Sequence, residues 1–183
     1  MKPSLKNVPN LLSFLRIALV PVFILSFTSR KTKLCAVIFT ISGLSDVADG
    51  FIARKFGCES NLGKILDPIA DKLTYAASFF CLYSVEKIPA FFIAVFVIIQ
   101  VLQGIGALLV YKKANIVVKS NITGKIAGFC MFAFCLVSLW LYDKLSKLVI
   151  NILSGIVLFF IALSGLNYLM QYTAKTTPDK IEH

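Results

Sequence analysis

Six apolar runs separated by short polar connections account for nearly the whole chain. They fall at about residues 11–28, 34–52, 66–83, 89–111, 126–142 and 148–170. A helix needs about 20 apolar residues to cross the hydrocarbon of a bilayer, and only helices or closed barrels satisfy their backbone there. The pattern predicts an all-α polytopic membrane protein with six transmembrane helices and a short N-terminal interfacial segment. A single membrane domain over residues 1–172 is followed by a polar tail at 173–183. No internal repeat, low-complexity tract or extended linker interrupts this order.

Polar residues inside the pattern carry the remaining information. Asn7-Val8-Pro9-Asn10 reads as a turn ahead of the first run. Arg16 interrupts that run and Pro21 breaks it, and no small-residue cleavage site follows, so the segment reads as a span and not as a leader. Arg16 is expected to face protein or headgroups, with snorkelling to the interface preferred over contact with a ligand. The other interruptions are acidic. Asp46 and Asp49 lie in the last turns of the second run, and Asp67 and Asp71 lie in the first turns of the third. Because the polar connection 54–64 joins these two runs, both pairs must lie at one membrane face.

Composition agrees with this pattern. The chain has 183 residues, of which 58% are hydrophobic, and a mean hydropathy of +0.84, whereas a soluble domain is about 45–50% apolar. The net charge of +10 comes from 19 Lys and Arg against 9 Asp and Glu. In a soluble chain that balance suggests nucleic acid. Here the bases flank apolar runs, where they anchor to headgroups and set topology, so membrane lipids are the expected partners and nucleic acid is not. Only Arg30, Lys31, Lys33, Lys87, Lys144 and Lys147 fall on the side opposite the connection 54–64. The more basic side, which holds the aspartates, is expected to be cytoplasmic. The five cysteines lack metal-ligand spacing, and the one histidine is His183, which leaves no imidazole chemistry to consider.

Residues three and four apart share a helix face. Asp46, Asp49, Gly50, Ala53 and Arg54 therefore form one stripe, and Gly63, Asp67 and Asp71 form a second that faces it. Four carboxylates this close need counter-charge, and oxygen-only donors select hard divalent ions such as Mg2+ or Mn2+. Gly50, Ala53 and Gly63 leave room for a ligand beside the backbone, and Arg54 offers a fork suited to phosphate oxygens. Together these residues describe a site for a metal-bound diphosphate, in which one carboxylate takes the proton of an attacking hydroxyl. Pro68 leaves the geometry open: either the third helix begins at Asp67, or it bends there.

Written out, the stretch is Asp46-x2-Asp49-Gly50-x2-Ala53-Arg54-x8-Gly63-x3-Asp67-x3-Asp71. This resembles the signature of the CDP-alcohol phosphatidyltransferases, six-helix intramembrane enzymes, usually homodimeric, that move a phosphatidyl group from CDP-diacylglycerol to an alcohol and release CMP. The resemblance implies two ions, Mg2+ or Mn2+, held by Asp46, Asp49 and Asp67, with Asp71 as a shared ligand or the general base. It places Asp49, Gly50, Ala53, Arg54 and Gly63 against CDP-diacylglycerol. Asn7-x-Pro9-Asn10, Arg16 and Asp67-Pro68-x-Ala70-Asp71-Lys72 are most similar to the phosphatidylglycerophosphate synthase and cardiolipin synthase branch. The acceptor implied is glycerol 3-phosphate or phosphatidylglycerol, at the cytoplasmic face of a bacterial cytoplasmic membrane.

The chain departs from that branch in its second half. The branch usually has a basic residue followed by an acidic one in the fourth span and Gly-Lys-x-Lys-Thr opening the fifth. Here the corresponding stretches read Gln100-Val101 and Gly124-Lys125-Ile126-Ala127-Gly128. An acceptor phosphate is then expected to lean on Lys125, with Lys119 and Gln100. Two other function classes fit less well. Intramembrane prenyltransferases carry paired aspartate motifs on distant helices of a larger bundle, and a cation carrier would set its acids near the midplane of the bilayer.

Overall fold

The computed structural model describes the backbone of residues 8–56, 63–114 and 122–176 and the side chains of most of them. Six helices follow in order: α1 (Val8–Thr28), α2 (Thr32–Phe56), α3 (Gly63–Ser84), α4 (Ala90–Ala114), α5 (Ile122–Trp140) and α6 (Lys147–Thr176). All match predicted runs, and most continue beyond them, because the backbone ladder need not stop where the apolar side chains do. α1 takes in Val8, Pro9 and Asn10, and α6 runs into the stretch read as a polar tail. α3 begins at Gly63, so Pro68 lies inside the helix and the alternative start at Asp67 is set aside. Among the described residues, segments of α1 (Leu11–Thr28), α5 (Ile122–Trp140) and α6 (Lys147–Asn167) are long and apolar enough to cross a membrane.

The chain divides into two compact units, 1–87 with 135–145, and 88–134 with 146–183. In the first unit α1 packs against both α2 and α3. Its core includes Phe23, Phe27, Cys35, Phe39, Phe79, Leu82, Cys135 and Leu139. Trp140 Nε1 donates to Thr40 Oγ1 at 3.1 Å, and Phe27 meets Tyr142 edge-on at 6.0 Å. Lys87 Nζ donates to the Tyr142 carbonyl at 2.5 Å while standing 4.3 Å over that ring. These contacts close the end of the unit away from the aspartates.

Two helices of this unit stop in the same way. At the end of α1, Lys31 N–H reaches back to the Ser26 carbonyl and Arg30 N–H to that of Phe27, both at 2.9 Å. At the end of α3, Lys87 N–H reaches Leu82 O at 3.0 Å and Glu86 N–H reaches Tyr83 O at 2.8 Å. This is the Schellman arrangement, whose turning residue adopts a left-handed conformation and is usually glycine. Here Arg30 (φ 59°) and Glu86 (φ 56°) fill that position. Hydroxyls inside the helices are satisfied locally: Ser26, Thr40, Thr74 and Ser78 each donate to the carbonyl four residues back, at 2.7 to 2.9 Å. That is how an apolar span tolerates them.

In the second unit α4 packs on α6 over Ile88, Phe92, Phe96, Ile150, Val157 and Ile161. Phe92 lies 6.0 Å from Phe134 of α5. A Cβ added at Gly165 would stand 3.2 Å from Ile99 Cγ2, so the glycine allows the close approach of α4 and α6. Polar side chains join these helices within the apolar surround, with Gln103 Nε2 3.5 Å from Ser164 Oγ and Asn167 Nδ2 3.3 Å from Thr123 Oγ1.

Candidate active site

Near its N-terminal end α1 turns its polar residues inward and its apolar residues outward. Ser13 and Arg16 are buried, Arg16 to 2% exposure, while Leu11, Phe14 and Leu15 around them are exposed. Ser13 and Arg16 lie three apart and share a face. That face meets the motif ends of α2 and α3. Arg16 Nη1 donates to Asp46 Oδ1 at 2.7 Å and also to Asp71 Oδ1. Arg16 Nη2 lies 3.3 Å from Asp67 Oδ1, which also accepts from Ser13 Oγ. One guanidinium thus draws together carboxylates from both predicted stripes.

Arg16 faces protein, one of the two surroundings expected of it, and the preference for snorkelling is corrected: its head is enclosed and its terminal nitrogens meet three aspartates. The sequence reading missed Ser13 for the same reason, because it gathered the site from two helices when three build it. A signal was available. Arg16 is the one base inside the first apolar run, and a base enclosed in an apolar run needs an anionic partner.

The structure brings together Asp46, Asp67 and Asp71 of the predicted site, and Gly50 lies one turn beyond Asp46 on α2. Asp49, Ala53, Arg54 and Gly63 fall on α2 and α3, but their side-chain surroundings, like Lys119, lie outside the described residues. Gln100 on α4 and Lys125 on α5 belong to the second unit. Lys125 is exposed, and Gln100 Oε1 is buried without a hydrogen-bond partner among the described residues.

The aspartates remain accessible, at 44% exposure for Asp46, 39% for Asp67 and 40% for Asp71. Beyond them lies a shallow, open apolar cleft, lined by Leu19, Val20 and Phe23 of α1, Ile38 and Ser42 of α2, and Thr74 and Ala77 of α3. Leu19 is one turn from Arg16, Ser42 one turn from Asp46, and Thr74 one turn from Asp71. Charged oxygens and greasy walls therefore adjoin along the same three helices.

Donor chemistry decides which cation suits these residues. Three carboxylates and a hydroxyl are hard oxygen donors, and the group they converge on is a cation, so the set fits a divalent ion of the Mg2+ or Mn2+ kind. As they stand, no three acidic, His or Cys side chains among the described residues are grouped closely enough to ligate one ion directly. The shared cation is Arg16.

Known proteins bear on this arrangement. A model of the CDP-alcohol phosphatidyltransferase family matches residues 6–170. The chain is similar to a CDP-diacylglycerol–glycerol-3-phosphate 3-phosphatidyltransferase of Rickettsia felis, 40% identical over 94 residues, 48% of this chain and 52% of that protein. It is similar to the Bacillus subtilis protein of the same name, 29% identical over 181 residues, 88% of this chain and 93% of that one. A CMP-forming cardiolipin synthase of Rattus norvegicus is 39% identical over 84 residues, 45% of this chain and 28% of the rat protein. The matched stretch thus spans about half the length of the Rickettsia felis relative. With the family match running through all six helices and three of the motif aspartates converging on one cation, the chain belongs to the CDP-alcohol phosphatidyltransferase family.

Proposed function

We propose that this chain transfers the phosphatidyl group of CDP-diacylglycerol to the 1-hydroxyl of glycerol 3-phosphate and releases CMP. The observation that carries the reading is the convergence of Asp46, Asp67 and Asp71 at the head of an apolar cleft. A substrate with a diphosphate head and acyl tails has the same two-part character. In the reaction the acceptor oxygen bonds to the phosphatidyl phosphorus, and the oxygen bridging the two phosphates leaves with CMP. Asp71 takes the hydroxyl proton or shares an ion, and Gly50, Ala53, Arg54 and Gly63 position the nucleotide. Two bound ions, Mg2+ or Mn2+, held by Asp46, Asp49 and Asp67 with Asp71, would neutralise the diphosphate and its leaving oxygen.

The same reading extends to the whole protein. Six spans, an active site at the cytoplasmic face of a cytoplasmic membrane and a homodimer follow from the family and from the bias of basic residues. The acceptor phosphate is assigned to Lys125, Lys119 and Gln100. The similarity to the rat cardiolipin synthase supports one second reading, a cardiolipin synthase whose acceptor is phosphatidylglycerol. The test is to give purified protein CDP-diacylglycerol with each acceptor in turn and identify the lipid formed. Phosphatidylglycerophosphate from glycerol 3-phosphate is expected. Cardiolipin from phosphatidylglycerol alone would establish the second reading, and release of CMP with no acceptor tried would sink both.

A further inference from the structure

Arg16 has no part in the site as the aspartate motif describes it, yet it is the group on which that site closes. Arg16 is 2% exposed, and its two terminal nitrogens reach both stripes of the motif, with Nη1 alone bridging Asp46 and Asp71. Arg16 is the buried member of these pairs, and an enclosed guanidinium left without its anionic partners would be strongly destabilising. A guanidinium bonded to Oδ1 of Asp46 and Asp71 draws on the same negative charge that a divalent ion needs there, so the two cations compete for those oxygens. Among the described residues three carboxylates share this one guanidinium, and a doubly charged ion brings more positive charge to them than Arg16 does. Arg16 sits on a different helix from every carboxylate it binds, and four rotatable bonds in its side chain let the head withdraw without moving α1.

We propose that Arg16 is a resident counter-cation of the carboxylate cluster, holding Asp46, Asp67 and Asp71 together before an ion enters and giving up Asp46 and Asp71 when one does. The inference rests on the metal-dependent reading above. It assigns Arg16 a positioning role with a cost: the arginine keeps α2 and α3 together without metal, and it competes with the metal for their oxygens. Once displaced, the guanidinium stands beside the incoming diphosphate, where it offers the same fork to phosphate oxygens.

Direct binding of Mn2+ to purified protein in lipid nanodiscs, followed by electron paramagnetic resonance without substrate, separates the two claims. Wild type is expected to bind Mn2+ at a site that Asp46→Asn weakens. Arg16→Gln is expected to bind Mn2+ about tenfold more tightly than wild type, the scale of one charge-assisted hydrogen bond removed from the metal-free state. The same variant should melt at lower temperature than wild type in chelator and regain more of its stability when Mn2+ is added. Equal or weaker Mn2+ binding by Arg16→Gln, with wild-type binding intact, overturns the competition and leaves the metal reading standing. No Mn2+ binding by wild type that responds to Asp46→Asn overturns both. Should Arg16→Gln fail to fold in either condition, Arg16→Lys takes its place. It keeps the charge but loses the fork shared by Asp46 and Asp71, so tighter Mn2+ binding supports the exchange and unchanged binding overturns it.

Discussion

Enclosing an arginine among apolar helices costs several kcal/mol unless its donors are met, so the position of Arg16 says more about the site than any single aspartate does. Three half-exposed carboxylates meet it, and Ser13 steadies one of them by donating to Asp67. Ser13 is fully buried. Ser13→Ala removes that donor without adding bulk, and we expect it to lower stability by about 1–2 kcal/mol, as loss of a hydrogen bond to a charged group does. Unfolding in detergent, monitored by circular dichroism, reads this shift; an unchanged midpoint would mean that Asp67 is held without Ser13. The aspartates were legible in the sequence because acids are expensive in apolar runs and their i, i+3 and i+4 spacing is visible in a string of letters. Arg16 was legible only as an anomaly. Which anion a lone buried base pairs with depends on how α1 lies against α2 and α3, and no spacing within one run encodes that.

At the scale of elements, helix existence followed from apolar run length, whereas helix ends did not. Glycine is the usual mark of a left-handed cap, and α1 and α3 stop at Arg30 and Glu86 instead. Both are charged residues at the polar edge of a run, and the two capping hydrogen bonds at each end hold the strained backbone there. The left-handed conformation costs a residue with a Cβ about 1–2 kcal/mol, and branching at Cβ makes it worse. Arg30 already carries that cost, so Arg30→Val should lower stability only by what branching adds, while Arg30→Gly should leave stability equal or raise it. Thermal unfolding of the two variants side by side measures the difference. If valine were tolerated as well as glycine, the end of α1 would not turn through a left-handed residue. Pro68 makes a related point. Its ring forbids one backbone bond, which from sequence permitted two helix starts, and only the observed start at Gly63 chooses between them.

For the whole molecule, the broad exposed apolar faces of α1 and α6, with serines buried behind them, are those of helices in lipid. Leu148, Ile152, Ile156 and Phe159 of α6 are exposed while Ser154 is buried. Six spans require the connection 54–64 and the turn at Glu86 to lie on opposite sides of the membrane. In a cysteine-free background, a membrane-impermeant maleimide should label a restored Cys58 only in inverted vesicles and Glu86→Cys in intact cells. Labelling of both from one side would break the six-span topology. The central claim is that the four-aspartate site performs a metal-dependent phosphatidyl transfer, and CMP release tests it most directly. Purified wild type given CDP-diacylglycerol and glycerol 3-phosphate should release CMP only when Mg2+ or Mn2+ is present, and Asp71→Asn, still folded, should lose that activity by about a thousandfold. Undiminished CMP release in excess chelator, or normal turnover by Asp71→Asn, would contradict the account.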